Sequence, residues 1–211
     1  MKSAHKQLTD SSSRSPDDYT RLLVARAYGS IDRSLFVSRQ YWQLADKDVA
    51  LPIGFSQTIS KPSTVIKMLL LGKIREGMRV LEVGAGCGYT LALIAGCKAH
   101  AYGIERIGNL AQDARKRLDY LGFHEALIRC SDGKKGWPEY APFDLIILSA
   151  AFNEVPSELF DQLANNGRLV APLTLKTAQS SKLQQNLVIY ERDHDRLKCY
   201  NEGECLFVRA S

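Results

Sequence analysis

The 211-residue chain is predicted to form a single α/β domain: a seven-stranded, mostly parallel sheet, helices on both faces, and an antiparallel hairpin at the C-terminal end. Three observations predict it. From about residue 76 onward short apolar runs alternate with amphipathic stretches, the pattern of βαβ units. No helical stretch separates the last two apolar runs, which implies an antiparallel return. With 45% hydrophobic and 24% charged residues the composition suits a packed core, against wholesale disorder, a collagen-like repeat or a simple coiled coil.

Residues 1–16 are rich in Ser, Lys and Asp without periodicity and read as a flexible leader before a single domain at 17–211. Pro16 and the acidic Asp17 and Asp18 open a helix over 17–28. Gly29 to Gln57 is irregular, with Phe36, Tyr41, Trp42 and Ile53 as expected anchors. Ser60 stands where an N-cap would, and Pro62 starts a helix over 62–71, apolar at Val65, Ile66, Leu69 and Leu70 and ended by Gly72. Strands are expected near 78–83, 99–104, 125–130, 143–149, 167–172, 184–191 and 203–209, and further helices at 88–97, 108–121 and 156–164.

Composition narrows the partners. The net charge of +5 is spread along the chain, and Arg115-Lys116-Arg117 falls in a helical stretch where a solvated face is expected, so no nucleic-acid partner is predicted. Runs such as Leu145–Leu148 and Met68–Leu71 fall far short of the roughly 18 apolar residues of a membrane span. The N-terminus lacks the apolar centre of a secretory signal, and the five Cys are odd in number without a CxxC pair. These features predict a cytoplasmic protein with reduced thiols. The four His have no metal-ligand spacing, and no metal is expected.

The chemistry concentrates in Arg79-Val-Leu-Glu-Val-Gly-Ala-Gly-Cys-Gly88, where an apolar strand meets a helix through Gly84, Gly86 and Gly88. Such a turn lets backbone approach a ligand where a Cβ would collide. A dinucleotide site wants G-x-G-x-x-G, but here the third glycine comes one position early and Tyr89 fills its slot, leaving NAD as the runner-up. Glu82, two residues before the first glycine, is an awkward neighbour for pyrophosphate and a suitable one for an ammonium or sulfonium. That charge logic favours S-adenosylmethionine (AdoMet). About 20 residues on, Glu105 ends the second core strand, where a carboxylate can accept from both hydroxyls of a ribose. Asp132 and Gly133 end the third, offering an acceptor for an adenine amino group and a backbone that can approach the ring. Three such features at successive strand ends point to a nucleotide-type cofactor site.

The segments Leu51-Pro-Ile-Gly-Phe-Ser-Gln-Thr-Ile-Ser-Lys-Pro62, Val80-Leu-Glu-Val-Gly-Ala-Gly-Cys-Gly-Tyr89, Ile104-Glu-Arg-Ile107, Asp132-Gly-Lys-Lys-Gly-Trp137, Pro142-Phe-Asp-Leu-Ile-Ile147 and Gly167-Arg-Leu-Val-Ala-Pro172 resemble, in this order, the protein-L-isoaspartate (D-aspartate) O-methyltransferases. The resemblance runs from about residue 20 to the C-terminus. It implies a Rossmann-like AdoMet-dependent methyltransferase fold, with a helical, substrate-side segment at 17–75 and the AdoMet-binding core at 76–211. It further implies repair of isoaspartyl residues in damaged peptides and proteins, with Ser60 at the catalytic centre and a monomer favoured. AdoMet would be held by Thr58, Ile59 and Ser60, by Glu82, Gly84, Ala85 and Gly86, by Glu105 and Arg106, by Asp132 and Gly133, and by Gln185, which matches a Gln beginning a late strand in the family. The chain departs from the family pattern at Ser56, Lys61, Phe152, Asn153, after Pro172 and at Arg209-Ala210, around the expected substrate cleft.

A carboxylate acceptor is already ionised at neutral pH, with a pKa of about 4, so methyl transfer to it needs no general base. Catalysis then rests on alignment, and on neutral donors that hold the carboxylate without quenching it. Ser60 suits that role, with an ordinary N-cap as the competing explanation. Two other functions stay open on sequence: a diverged paralogue methylating another carboxylate or small acceptor, and a non-catalytic AdoMet-binding module.

Overall fold

The computed structural model describes residues 15–176 and 183–210. Residues 1–14 of the expected leader lie outside them. Ser15 caps helix α1 (Pro16–Ser30) by accepting the Asp18 N–H at 3.2 Å, and Asp17 and Asp18 sit at its positive end. Leu23, Val24 and Ala27 form its buried stripe.

The aperiodic stretch after α1 holds more order than the sequence shows. Two 3-10 turns (Arg33–Phe36 and Arg39–Leu44) precede an antiparallel hairpin of β1 (Leu51–Gly54) and β2 (Gln57–Ile59). The hairpin is hidden because its turn residues Phe55 and Ser56 take left-handed backbone, φ +52° and +59°, without the Gly, Asn or Asp that signals such a turn. Phe36 is a buried anchor as expected and meets Tyr89 edge-on at 5.3 Å. Trp42 is not: it is 51% exposed on the outside of its 3-10 turn, with the Arg39 guanidinium over its ring.

Helix α2 (Pro62–Leu71) has the expected bounds and buries Val65, Met68 and Leu69. Seven strands follow: β3 (Arg79–Val83), β4 (His100–Glu105), β5 (Leu127–Cys130), β6 (Phe143–Leu148), β7 (Leu163–Lys176), β8 (Leu183–Asp193) and β9 (Arg196–Glu204). They lie in the order β5-β4-β3-β6-β7-β8-β9; the first five are mutually parallel, β8 pairs antiparallel with β7, and β9 antiparallel with β8. Helices α3 (Tyr89–Gly96), α4 (Gly108–Tyr120) and α5 (Ser157–Asp161) complete the fold.

Alternation along the strands feeds two cores, one on each face. Val80, Leu145, Ile147 and Val170 pack with Leu23, Val65, Leu93 and Leu118 from α1 to α4. Leu81, Ile146, Leu148 and Leu169 face the other way, onto Trp137, Phe143 and Leu159.

Two expected elements differ. The helix expected over 156–164 stops at Asp161 because Gln162 is committed elsewhere: its side chain accepts the Trp137 N–H at 2.7 Å and donates to the Lys135 carbonyl at 2.9 Å. The strand expected over 203–209 is instead β9 (Arg196–Glu204), which returns on β8 directly after the turn at His194 and Asp195 and is exposed at every position. A solvent-facing edge strand with only Leu197, Cys199 and Tyr200 among its polar residues carries a weak apolar signal, whereas the continuous apolar run Cys205-Leu-Phe207 lies just beyond it. Among the described residues no helix is long and apolar enough to cross a membrane.

Candidate active site

The C-terminal ends of β3, β4 and β5 meet at one edge of the sheet, and a cleft opens there. Its floor is the turn after β3. Gly86 has φ +54°, a side chain there would come within 3.2 Å of Ile53 Cδ1, and its N–H donates to Glu105 Oε2 at 2.8 Å. The other Glu105 oxygen accepts the Ile107 N–H at 2.8 Å, so two backbone donors fix a carboxylate that is only 5% exposed. Each oxygen keeps a second lone pair for ligand hydroxyls. Asp132 accepts the Lys134 N–H at 3.0 Å, and beside it Gly133 packs so tightly that a Cβ would lie 2.3 Å from Val83 Cγ1.

Of the residues expected to hold the cofactor, Thr58, Gly84, Gly86, Glu105, Arg106, Asp132 and Gly133 line this cleft. Others lie elsewhere. Ile59 and Ala85 are buried behind the wall. Glu82 is 1% exposed beneath it: Oε1 accepts the Ser149 hydroxyl at 2.6 Å, and Oε2 has no hydrogen-bond partner. Burial pushes the Glu82 carboxyl up to about 7, opposed in part by the Ser149 and Thr90 hydroxyls. Gln185 clasps the backbone of Phe207, accepting its N–H at 2.6 Å and donating to its carbonyl at 3.1 Å. It therefore holds the C-terminal segment whose next residues, Val208 to Ala210, form part of the wall.

Ser60 lines a second cleft, between α2 and residues 204–208. It is not the helix cap. The N-cap position belongs to Lys61, without a side-chain bond, and Asp48 does the capping from 15 residues upstream: its oxygens accept the Ser63 N–H and hydroxyl, both at 2.8 Å. These two bonds also hold the Asp48 carboxyl below its ordinary range. The Ser60 carbonyl accepts from Arg33 at 3.1 Å. Arg33 is 4% exposed and also donates to the carbonyls of Ala45 and Val49, both at 2.8 Å, and of Lys47 at 3.5 Å. Its guanidinium lies over the ring of Tyr89, the first residue of α3.

Thr58, Ser149 and Val208 line both clefts and form the seam between them. Neither Ser149 nor Val208 stood out in the sequence. The place of Ser149 depends on β6 lying next to β3, a strand order no local pattern encodes, and that of Val208 on the Gln185 clasp. Cys87, in the glycine turn, is a packing residue: burial pushes its thiol up to about 11. Among the described residues no group of three His, Cys, Asp or Glu is placed to hold a metal.

The residues present fit AdoMet. The donor set offers a fixed carboxylate for ribose hydroxyls and an acidic acceptor beside a glycine for the adenine, and beneath the cleft wall the buried Glu82 Oε2 has no hydrogen-bond partner. A parallel sheet with this turn and these carboxylates defines an AdoMet-dependent methyltransferase of Rossmann-like fold. Comparison with known proteins narrows the class. The model of the protein-L-isoaspartate(D-aspartate) O-methyltransferase family matches residues 17–211. A protein-L-isoaspartate O-methyltransferase of Gloeobacter violaceus is 43% identical over 154 residues, 73% of this chain and 75% of that protein. One from Methylorubrum populi is 49% identical over 147 residues, covering 70% and 69%. Among solved structures, a protein-L-isoaspartate O-methyltransferase superposes with a TM-score of 0.81 at 25% identity, over 93% of this chain and 66% of that one. A Plasmodium falciparum protein of that description, in complex with S-adenosyl-L-homocysteine, shares the fold at a TM-score of 0.77 and 20% identity, over 93% and 98%. The chain belongs to the protein-L-isoaspartate(D-aspartate) O-methyltransferase family.

Proposed function

We propose that this protein transfers the methyl group of AdoMet to the α-carboxylate of L-isoaspartyl residues in damaged peptides and proteins, the first chemical step of their repair. The observation that carries the reading is the seam. A cofactor-type cleft and a hydroxyl-lined cleft share Thr58, Ser149 and Val208, so a donor in one and an acceptor in the other would meet there.

AdoMet, when bound, supplies an electrophilic methyl group on a positively charged sulfur. The chain's part is to orient. Glu105, Asp132 and the glycine turn would hold the nucleoside, and Ser60 would donate its hydroxyl hydrogen to the acceptor carboxylate. A neutral donor aligns that carboxylate without consuming its charge, and with the acceptor already ionised no residue need remove a proton. The reading includes work as a monomer in the cytoplasm, a reducing compartment with which the five free thiols agree. Incubation with labelled AdoMet and an isoaspartyl peptide, beside its aspartyl twin, tests it. Label should enter the isoaspartyl peptide alone, as a base-labile ester; equal or absent labelling of the two would refute the reading.

A further inference from the structure

One wall of the acceptor cleft is a single face of α2 and its N-terminus: Lys61, Thr64 and Lys67 stand at three-residue spacing. Both lysines are exposed. Lys67 reaches across to donate to the Glu202 carbonyl at 2.9 Å, so its charge hangs over the cleft mouth. Two carboxylates stand nearby and keep their charge: Asp48, which accepts from Ser63, and Glu204, on the opposite wall, which accepts from the Gln184 amide at 2.5 Å. The α2 wall thus presents two cations along the line a bound chain would follow away from Ser60, with Glu204 facing them from the other side.

Resting on the acceptor reading above, we propose that Lys61 and Lys67 select isoaspartyl sites flanked by acidic residues. Lys61 adjoins Ser60, and Lys67 lies about 9 Å further along the helix axis at ~1.5 Å per residue. An extended peptide covers that distance in about three residues at ~3.3 Å each. Lys61 therefore reads the residue next to the isoaspartate, and Lys67 reads one about three positions beyond that, about four from the isoaspartate.

The test uses three isoaspartyl peptides identical except at those two flanking positions, which carry Glu, Gln or Lys. Methylation should follow the order Glu, Gln, Lys in kcat/KM, with about 3- to 10-fold between Glu and Gln at low salt, the scale of two exposed ion pairs, shrinking as salt rises. In the Lys61→Glu/Lys67→Glu variant, shown to be folded by circular dichroism and by S-adenosyl-L-homocysteine titration, the order should reverse. An order that charge reversal leaves unchanged, or a wild type that prefers the Lys peptide, overturns the proposal while the isoaspartyl activity stands. Failure to methylate even the Gln peptide, with S-adenosyl-L-homocysteine still bound, overturns the acceptor reading and the proposal with it.

Discussion

Ser149 gives its only hydroxyl proton to Glu82, Oγ to Oε1 at 2.6 Å, and so presents an oxygen that can only accept where the two clefts meet. Behind it the carboxyl, wholly buried, stands at about 7. A group raised from 4.5 to about 7 keeps its proton in the folded chain where the unfolded chain has released it. Stability contributed by this group is therefore full below 4.5 and falls as pH rises to about 7.

Glu82→Gln should accordingly be more stable than wild type at pH 8, by up to about 3 kcal/mol, and no more stable at pH 4.5. Urea denaturation at the two pH values checks it. A cation in the cleft favours the ionised carboxyl, so AdoMet should bind more tightly at pH 8 than at pH 6, relative to S-adenosyl-L-homocysteine, which lacks the sulfonium. Calorimetry on both ligands should show that difference vanish in Glu82→Gln.

Because Asp48 and not Ser60 caps α2, the two functions once joined in Ser60 come apart. Ser60→Ala should cost less than about 0.5 kcal/mol of stability, as for a surface change. It should still lower kcat/KM by about 10-fold or more, the effect of one oriented hydrogen bond. Asp48→Ala should show the complementary loss, about 0.5 to 2 kcal/mol of stability. Methylation kinetics and melting curves on both variants decide; an unaltered rate in Ser60→Ala would remove it from the catalytic centre.

Glu105→Ala strips acceptors from two backbone N–H groups as well as from the cofactor. AdoMet affinity should fall by about 1.5 to 3 kcal/mol, and unchanged affinity would take Glu105 out of the site.

Ser56 occupies left-handed backbone at φ +59°. Ser56→Gly should relieve that strain and raise stability by up to about 1 kcal/mol, the gain limited by glycine's greater unfolded-state freedom. Thermal melts check the sign.

What could be read in advance follows from the range of the forces involved. Strand β3, the glycine turn, Glu105 and Asp132 are encoded within a few residues of themselves, and the structure sets them at one sheet edge. The Asp48 cap and the Gln185 clasp join residues 15 and 22 positions apart, while the β1–β2 hairpin, though local, lacks the turn residues that would announce it. Nothing in the local run of Leu51 to Lys61 announces that Asp48 will reach Ser63, or that Arg33 will reach Ser60.

That last contact is one of several that tie the chain beside the second cleft to a single side chain. One guanidinium, sealed from solvent, gathers carbonyls from Ala45 to Ser60, so this stretch cannot slacken a link at a time. A lysine there would bring three donors and a single point of attachment in place of a planar fork. The position of the Ser60 backbone is thus tied to a side chain hidden behind the cleft wall, and a change of chain length between Arg33 and Ala45 would be felt at Ser60.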